Sequence, residues 1–200
     1  MLYYASLRIC SGGATMMNRA TSITLAVIIL ILAACGGQDA AAYETVAPAN
    51  INAGSAIPAP ADNVVLIISG NITITNVDDT LVFDMATLEK LGLVKYTVND
   101  PWLQSEVAYT GILLADLLKY AGSPDSVTAV EVVALDGYAA EIPISEVQEW
   151  PVLLATQADG QHMTIENNGP TRVIFPYDSH SDITAARNMS VWNVERLEVK

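Results

Sequence analysis

The sequence predicts an α+β fold, with strand-rich mixed sheets and a few short helices. The prediction rests on many short apolar runs rich in β-branched residues, separated by turn signals. Helical patterns are few and short, and they do not alternate regularly with the strands. Regular alternation would instead favour a doubly wound parallel sheet.

The predicted strands are short apolar runs bounded by Gly, Pro, Asn or Asp. In chain order they cover 64–69, 80–83, 93–98, 106–110, 127–135, 138–142, 152–156, the run around Arg172 and the run 191–199. Asp136-Gly137 separates two of these runs and is a strong signal for a two-residue hairpin turn. The polar stretch 177–188 is predicted to be a loop.

Three helices are predicted from their end signals. Asp84 is an N-cap for a helix over MATLEKL, which Gly92 ends. The run ILLADLLKYA, residues 112–121, ends at Gly122. A short third helix is expected to begin at Ser145, after the hairpin.

The N-terminus has the features of a bacterial lipoprotein signal. An apolar stretch from Ala20 to Ala34 follows the basic residue Arg19, and it is too short for a comfortable membrane span. It ends in LAAC, which resembles a lipobox with Cys35 as the lipid-modified first residue of the mature chain. We therefore expect a signal peptide over 1–34, with Met16 or Met17 as an alternative start.

The expected organisation is a lipidated Cys35 with a flexible linker over 35–62, then one folded domain over 63–200. The linker segment is rich in Ala, Pro, Gly and Asn, which is typical of a tether. The expected location is the periplasmic side of the cell envelope, on the outer membrane if the host is Gram-negative. The partners expected are the membrane, through the lipid, and an envelope protein.

Charge and cysteine content exclude several classes of function. A formal net charge of -13 argues against binding to nucleic acid, which usually requires a basic face. The two cysteines, Cys10 and Cys35, both precede the domain, so it has no thiol for a disulfide, a metal or catalysis. Two distant histidines, His162 and His180, do not form a metal motif, and we expect no metal site. No nucleophile elbow or phosphate-binding glycine loop is present.

The most unusual residue is Arg172, in the run NNGPTRVIFP. It stands alone among apolar positions that are expected to be buried. A buried guanidinium requires an anionic partner, because an unpaired buried charge is costly. The partner is either a carboxylate of this chain, such as Asp136 or Asp178, or a bound phosphate.

Five segments, in this order and at these spacings, resemble the oxidoreductase molybdopterin-binding domain of the sulfite oxidase family. They are GILLADLL (111–118), LDGYAAEIPI (135–144), VLLA (152–155), GPTRVIFP (169–176) and VWNVERLEV (191–199). The resemblance covers roughly residues 63–199. It implies an α+β domain with mixed sheets and molybdopterin as the family's cofactor.

The resemblance also implies a set of cofactor-binding positions. An arginine of the family grips the pterin phosphate, and Arg172 occupies its place. Asp136 matches an aspartate near the cofactor, with Tyr138 beside it, and Asn167 falls where the family has a histidine. In a cofactor-binding protein, the loop from Tyr177 to His180 would complete the site.

Other family positions are altered. The molybdenum-ligating cysteine should lie within TVNDPWLQSEVAY (97–109), where there is none, and the family's late lysine falls at Val191. A hydroxyl or an amide does not replace a thiolate on molybdenum. We therefore expect no catalytic residues and no bound cofactor, and an internal carboxylate as the partner of Arg172. The alternatives are a pterin-binding redox protein with a non-cysteine ligand, and a subunit of an envelope assembly.

Overall fold

The computed structural model describes residues 43–200. The strands within this range are β1 Glu44–Ala47, β2 Val64–Gly70, β3 Leu81–Asp84, β4 Leu93–Asp100, β5 Ser105–Leu113, β6 Ala129–Ala134, β7 Ala139–Pro143, β8 Leu153–Ala158, β9 Gln161–His162, β10 Arg172–Ile174 and β11 Val194–Val199. The helices are α1 Met85–Leu88, α2 Leu114–Tyr120, α3 Ile144–Glu149 and α4 Ile183–Met189. Short 3-10 turns follow α1 and precede β10.

The strands form two sheets. The first has the order β1-β4-β5-β8-β10, with β9 added on β8, and all its pairs are antiparallel. The second has the order β3-β2-β11-β6-β7, in which β11 runs parallel to β2 and antiparallel to β6. The second sheet is therefore mixed, and the helices are few and short, so the predicted α+β fold class is confirmed.

One apolar core joins the two sheets. Leu66 and Ile68 of β2 are fully buried, as are Leu153 and Leu154 of β8, and all of them belong to one continuous cluster. Burial of this kind is the main stabilising term of the fold. Within the described residues, no helix is long and apolar enough to cross a membrane.

The local signals at two turns act as the sequence predicts. The Asp84 side chain accepts a hydrogen bond from the Thr87 N–H at 2.7 Å and so caps α1. Gly92 ends the following 3-10 turn with a positive φ of 104°, which favours glycine. Asp136 and Gly137 lie in the turn of the predicted β6–β7 hairpin, but the connection runs from Leu135 to Tyr138 and is longer than the predicted two residues.

The predicted flexible linker is wrong for the part that the structure describes. Strand β1 pairs with β4, and Ile57 is buried in the core. The Asp84 carboxylate also accepts hydrogen bonds from the N–H groups of Ala61 and Asp62. The composition resembled a tether because edge pairing and one buried isoleucine require few apolar residues. Cys35 and the predicted signal peptide lie outside the described residues.

The predicted loop over 177–188 is also wrong in its second half, which forms α4. Asp182 caps this helix by accepting hydrogen bonds from the N–H groups of Thr184 and Ala185, both at 3.0 Å. Ala186 and Met189 face the core one turn apart. The cap signal was present in the sequence, but the polar residues between the apolar ones obscured it.

Candidate functional site

Arg172 is the centre of a buried ion pair. Its side chain is only 2% exposed, and its Nη2 donates to Oδ2 of Asp100 at 2.8 Å. Its Nη1 donates to the Tyr109 hydroxyl at 2.8 Å, and that hydroxyl donates to the same Asp100 oxygen at 2.7 Å. Arg172, Asp100 and Tyr109, named here the Arg172 centre, thus form a closed ring of three hydrogen bonds.

Strand geometry brings these three side chains together. Asp100 ends β4, Tyr109 lies on the adjacent β5, and Arg172 begins β10, two strands further across the same sheet. Asp100 is fixed by its other oxygen, because Oδ1 accepts hydrogen bonds from the N–H groups of Trp102 and Leu103, both at 2.9 Å. All of its strong acceptor positions are therefore directed at donors inside the domain.

The carboxylate of Asp100 is held in its charged form. Burial raises its pKa, but the Leu103 N–H, the Tyr109 hydroxyl and the Arg172 guanidinium together outweigh burial, and the pKa lies below its ordinary value. Burial raises the pKa of the Tyr109 hydroxyl, which therefore remains protonated and can donate to Asp100. The centre is a charged pair bridged by a neutral phenol.

Aromatic rings surround the guanidinium. The Arg172 Cζ lies 4.9 Å from the ring centroid of Trp192 and 5.4 Å from those of Trp102 and Tyr109. Such contacts add cation–π attraction to the ion pair. The third guanidinium nitrogen of Arg172, Nε, is buried and has no hydrogen-bond partner in the described residues. An unsatisfied buried donor of this kind costs about 1–3 kcal/mol.

The sequence predicted the burial of Arg172 and the internal carboxylate, but it named the wrong carboxylates. Asp178 instead accepts hydrogen bonds from the backbone N–H and side-chain amide of Asn99. Asp136 lies exposed in the hairpin turn and accepts a hydrogen bond from the Tyr138 N–H. The partner is Asp100, which lies just beyond the predicted strand 93–98 and was not among the predicted partners.

A cleft lies beside this centre, between the β6–β7 hairpin and α4. It has a volume of about 580 Å³, and Asp136 and Tyr138 lie on its hairpin side. Arg187 and Asn188 contribute from α4, and the Tyr138 hydroxyl donates to the Asn188 carbonyl at 3.3 Å. We call this feature the hairpin–α4 cleft.

Two tryptophans separate the hairpin–α4 cleft from the Arg172 centre. Trp102 and Trp192 both line the cleft, and their rings meet edge to face with centroids 5.4 Å apart. The Arg187 Cζ lies 5.6 Å from the Trp102 ring centroid, so Trp102 is close to both arginines. The sequence did not single out Arg187.

The other predicted site residues lie apart from the cleft. Asn167 lines a separate depression of about 300 Å³, together with Arg172 and His162. Tyr177 is buried, and its hydroxyl shares a hydrogen bond with that of Ser190 at 2.8 Å. The structure therefore brings Asp136 and Tyr138 together, but it does not gather the six predicted residues into one site.

The contacts of His180 connect two helices and do not form a binding site with the other predicted residues. Its Nδ1 accepts a hydrogen bond from the Asp182 N–H at 3.0 Å, which fixes the proton on Nε2, and Nε2 donates to Glu146 at 2.9 Å. Its ring also packs on Trp150, with centroids 4.6 Å apart. These contacts join the start of α4 to α3. In the part of the chain that the structure describes, no group of three His, Cys, Asp or Glu side chains could hold a metal ion.

Comparisons with known proteins agree with this architecture. Residues 84–180 match the family described as the oxidoreductase molybdopterin binding domain. Among solved structures, the fold is similar to that of the sulfane dehydrogenase SoxCD from Paracoccus pantotrophus, with a TM-score of 0.51 and 21% identity. That match covers 67% of this chain and 37% of the SoxCD chain. No curated protein matches the sequence.

The region matched by the family contains Asp100, Tyr109 and Arg172, together with the hairpin side of the cleft. The likeness to SoxCD extends the fold beyond that region. The resemblance predicted from the sequence is therefore confirmed: this chain carries an oxidoreductase molybdopterin-binding-like domain with a sulfite oxidase-like fold.

Proposed function

We propose that the protein is a lipid-anchored accessory or binding domain of the cell envelope, which retains the molybdopterin-oxidoreductase fold without its catalysis. The observation that carries this proposal is the ion pair between Arg172 and Asp100. The arginine at the family's phosphate-binding place already has a carboxylate partner at 2.8 Å. A cofactor phosphate would have to replace Asp100.

That replacement is energetically unfavourable. Separating a buried ion pair costs about 3–5 kcal/mol when one charge remains buried and unpaired. Tyr109 and the N–H groups of Trp102 and Leu103 hold the carboxylate in place, so Asp100 cannot simply swing away. The residues present therefore do not fit molybdopterin, and the segment 97–109 offers no thiolate for molybdenum.

The location rests on the sequence alone. The apolar stretch before LAAC supports export and lipid attachment at Cys35. Metabolic labelling of the full chain with a fatty-acid analogue would test this, with Cys35→Ser as the matched variant. We expect label on the wild type and none on the variant, and equal label on both would contradict lipidation at Cys35.

The absence of the cofactor is tested on protein from a host that makes molybdenum cofactor. Native mass spectrometry and metal analysis of the full chain should give the apoprotein mass and molybdenum far below one atom per chain. A molybdenum-containing relative purified from the same host is the positive control. Stoichiometric molybdenum or pterin would overturn the proposal. It would instead support a pterin-binding redox protein with a non-cysteine ligand, the alternative favoured by the position of Asp136 and Tyr138 in the cleft.

A protein partner in the envelope is a second proposal, supported by exposed apolar side chains. Leu103 is 54% exposed at the loop between β4 and β5, and Ile165 is 61% exposed. If the loop that carries Leu103 binds a partner, Leu103→Asp should abolish crosslinking to it in intact cells. Val77→Asp places the same charge at a different exposed apolar position and should leave crosslinking unchanged. Equal crosslinking of both variants and the wild type would contradict the proposal.

A further inference from the structure

We propose that the hairpin–α4 cleft binds a small hydroxylated carboxylate of the uronic acid class. The inference rests on the proposed function, because a cleft that served the family's cofactor would not be free for another ligand. It concerns a different ligand and a different arginine from those of the family resemblance. The argument uses the charges, aromatic rings and hydrogen-bonding groups that line the cleft.

Arg187 provides the anchor for the carboxylate. Its side chain makes no ion pair and no hydrogen bond with the residues that the structure describes, although the chain has an excess of acids. Its guanidinium lies beside the Trp102 ring, with Cζ 5.6 Å from the centroid, which limits the orientations that it can adopt. A planar guanidinium held in this way is suited to a bidentate contact with a carboxylate.

Asp136, the second charged residue of the cleft, determines which groups the ligand can carry besides its carboxylate. Asp136 is the acidic residue of the lining, and one of its oxygens accepts the Tyr138 N–H. Its other oxygen can accept hydrogen bonds from ligand hydroxyl groups. One cation and one anion in the same cleft disfavour a phosphate dianion, which Asp136 would repel. They suit a monoanion that carries hydroxyl donors at a distance from its carboxylate.

The aromatic lining suits a ring. Trp102, Trp192 and Tyr138 present indole and phenol surfaces to the cleft, on which the C–H face of a pyranose can pack. The volume of about 580 Å³ lies within the usual range of small-molecule sites. The Nε1 of Trp192, a lining residue, is a buried donor that has no hydrogen-bond partner among the residues described by the structure.

The test is a fluorescence titration of the full chain, since two of its three tryptophans line the cleft. D-glucuronate and D-galacturonate are the probes, and D-glucose and D-galactose are the matched uncharged sugars. We expect saturable changes with at least one acid at concentrations up to about 10 mM, and binding of its neutral sugar weaker by about tenfold or more. Metal and pterin analysis of the same sample tests the proposed function separately.

Variants locate the binding. Arg187→Gln should weaken binding of the acid about tenfold, and Asp136→Ala should weaken it several-fold, because each removes a direct hydrogen-bonding group. Lys90→Gln removes an exposed positive charge outside the cleft and should have no effect. The inference is overturned if neither acid gives a saturable change, if the neutral sugars bind equally well, or if Arg187→Gln binds like the wild type. An apoprotein that fails the titration refutes this inference alone, and a pterin-loaded sample refutes the proposed function.

Discussion

The Arg172 centre and the hairpin–α4 cleft lie on either side of the same pair of tryptophans, but the environments of their arginines are opposite. Arg172 is buried, with Asp100 and Tyr109 as partners. Arg187 is exposed and, in the described residues, without an acidic partner. An arginine at the family's phosphate-binding position can thus have an internal carboxylate as its partner, here from β4, which lies three strands from β10 in the same sheet.

The largest effect on stability should come from removing the carboxylate of the Arg172 centre. Asp100→Ala leaves Arg172 buried and unpaired, and we expect the free energy of unfolding to fall by about 3–5 kcal/mol. Urea denaturation followed by tryptophan fluorescence measures it. The matched control is Asp178→Ala, which removes an exposed carboxylate bound to Asn99 and should cost less than about 1 kcal/mol. Similar losses for both variants would contradict the special role of Asp100.

A smaller loss is expected from Tyr109→Phe, which removes only the hydroxyl. That hydroxyl joins Arg172 to Asp100 by two hydrogen bonds, so its loss should cost about 1–3 kcal/mol. Tyr120→Phe is the control, because its hydroxyl makes a single hydrogen bond to the Ile51 carbonyl near the surface. Denaturation of both variants under the same conditions makes the comparison. A greater loss for Tyr120→Phe would show that the Arg172 centre does not depend on its phenol.

Low pH should remove the contribution of the Arg172 centre to the stability of the fold. The pKa of Asp100 is lowered in the folded state, so its contribution to stability is complete above the unfolded pKa of about 3.9. That contribution is lost as the pH falls through the lower, folded pKa. Asp84 and Glu89 also have lowered pKa values, so the wild type loses stability from several groups. Asp100→Asn should therefore show a shallower decline than the wild type in denaturation series between neutral and acidic pH, and equal slopes would contradict the assignment.

The smallest effect on stability is predicted for the hairpin–α4 cleft. Arg187→Met removes a charge that has no partner in the described residues, so the free energy of unfolding should change by less than about 0.5 kcal/mol. Thermal and urea denaturation against the wild type are sufficient to measure it. A loss of stability comparable to that of Asp100→Ala would mean that Arg187 makes stabilising contacts like those of the Arg172 centre and is not available to a ligand.

The sequence predicted the features that depend on local signals. The Asp84 cap, the Asp136-Gly137 hairpin and the burial of Arg172 in a strand each follow from a few adjacent residues. The partner of Arg172 did not follow, because Asp100 lies 72 residues away and becomes its neighbour only through the order of strands in the sheet. The hairpin–α4 cleft was missed because it depends on α4, which lies largely in a segment predicted to be a loop.

The ordered part of the predicted linker shows a different limit of prediction from sequence composition. Composition describes the average behaviour of a segment, whereas its order here depends on a few contacts, such as β1 with β4 and Ile57 in the core. The family resemblance was more informative than composition because it used the order of several segments. It identified the fold, but the carboxylate partner of Arg172 had to be found in the structure.

The central claim is that Asp100 is the anion of Arg172, and a double-mutant cycle tests it most directly. The free energies of unfolding of the wild type, Asp100→Ala, Arg172→Met and the double variant give the coupling energy between the two side chains. We predict a coupling of about 2–3 kcal/mol, with the double variant more stable than the sum of the single losses implies, because it contains no unpaired buried charge. A coupling below about 0.5 kcal/mol would show that the two residues act independently, and it would contradict the account.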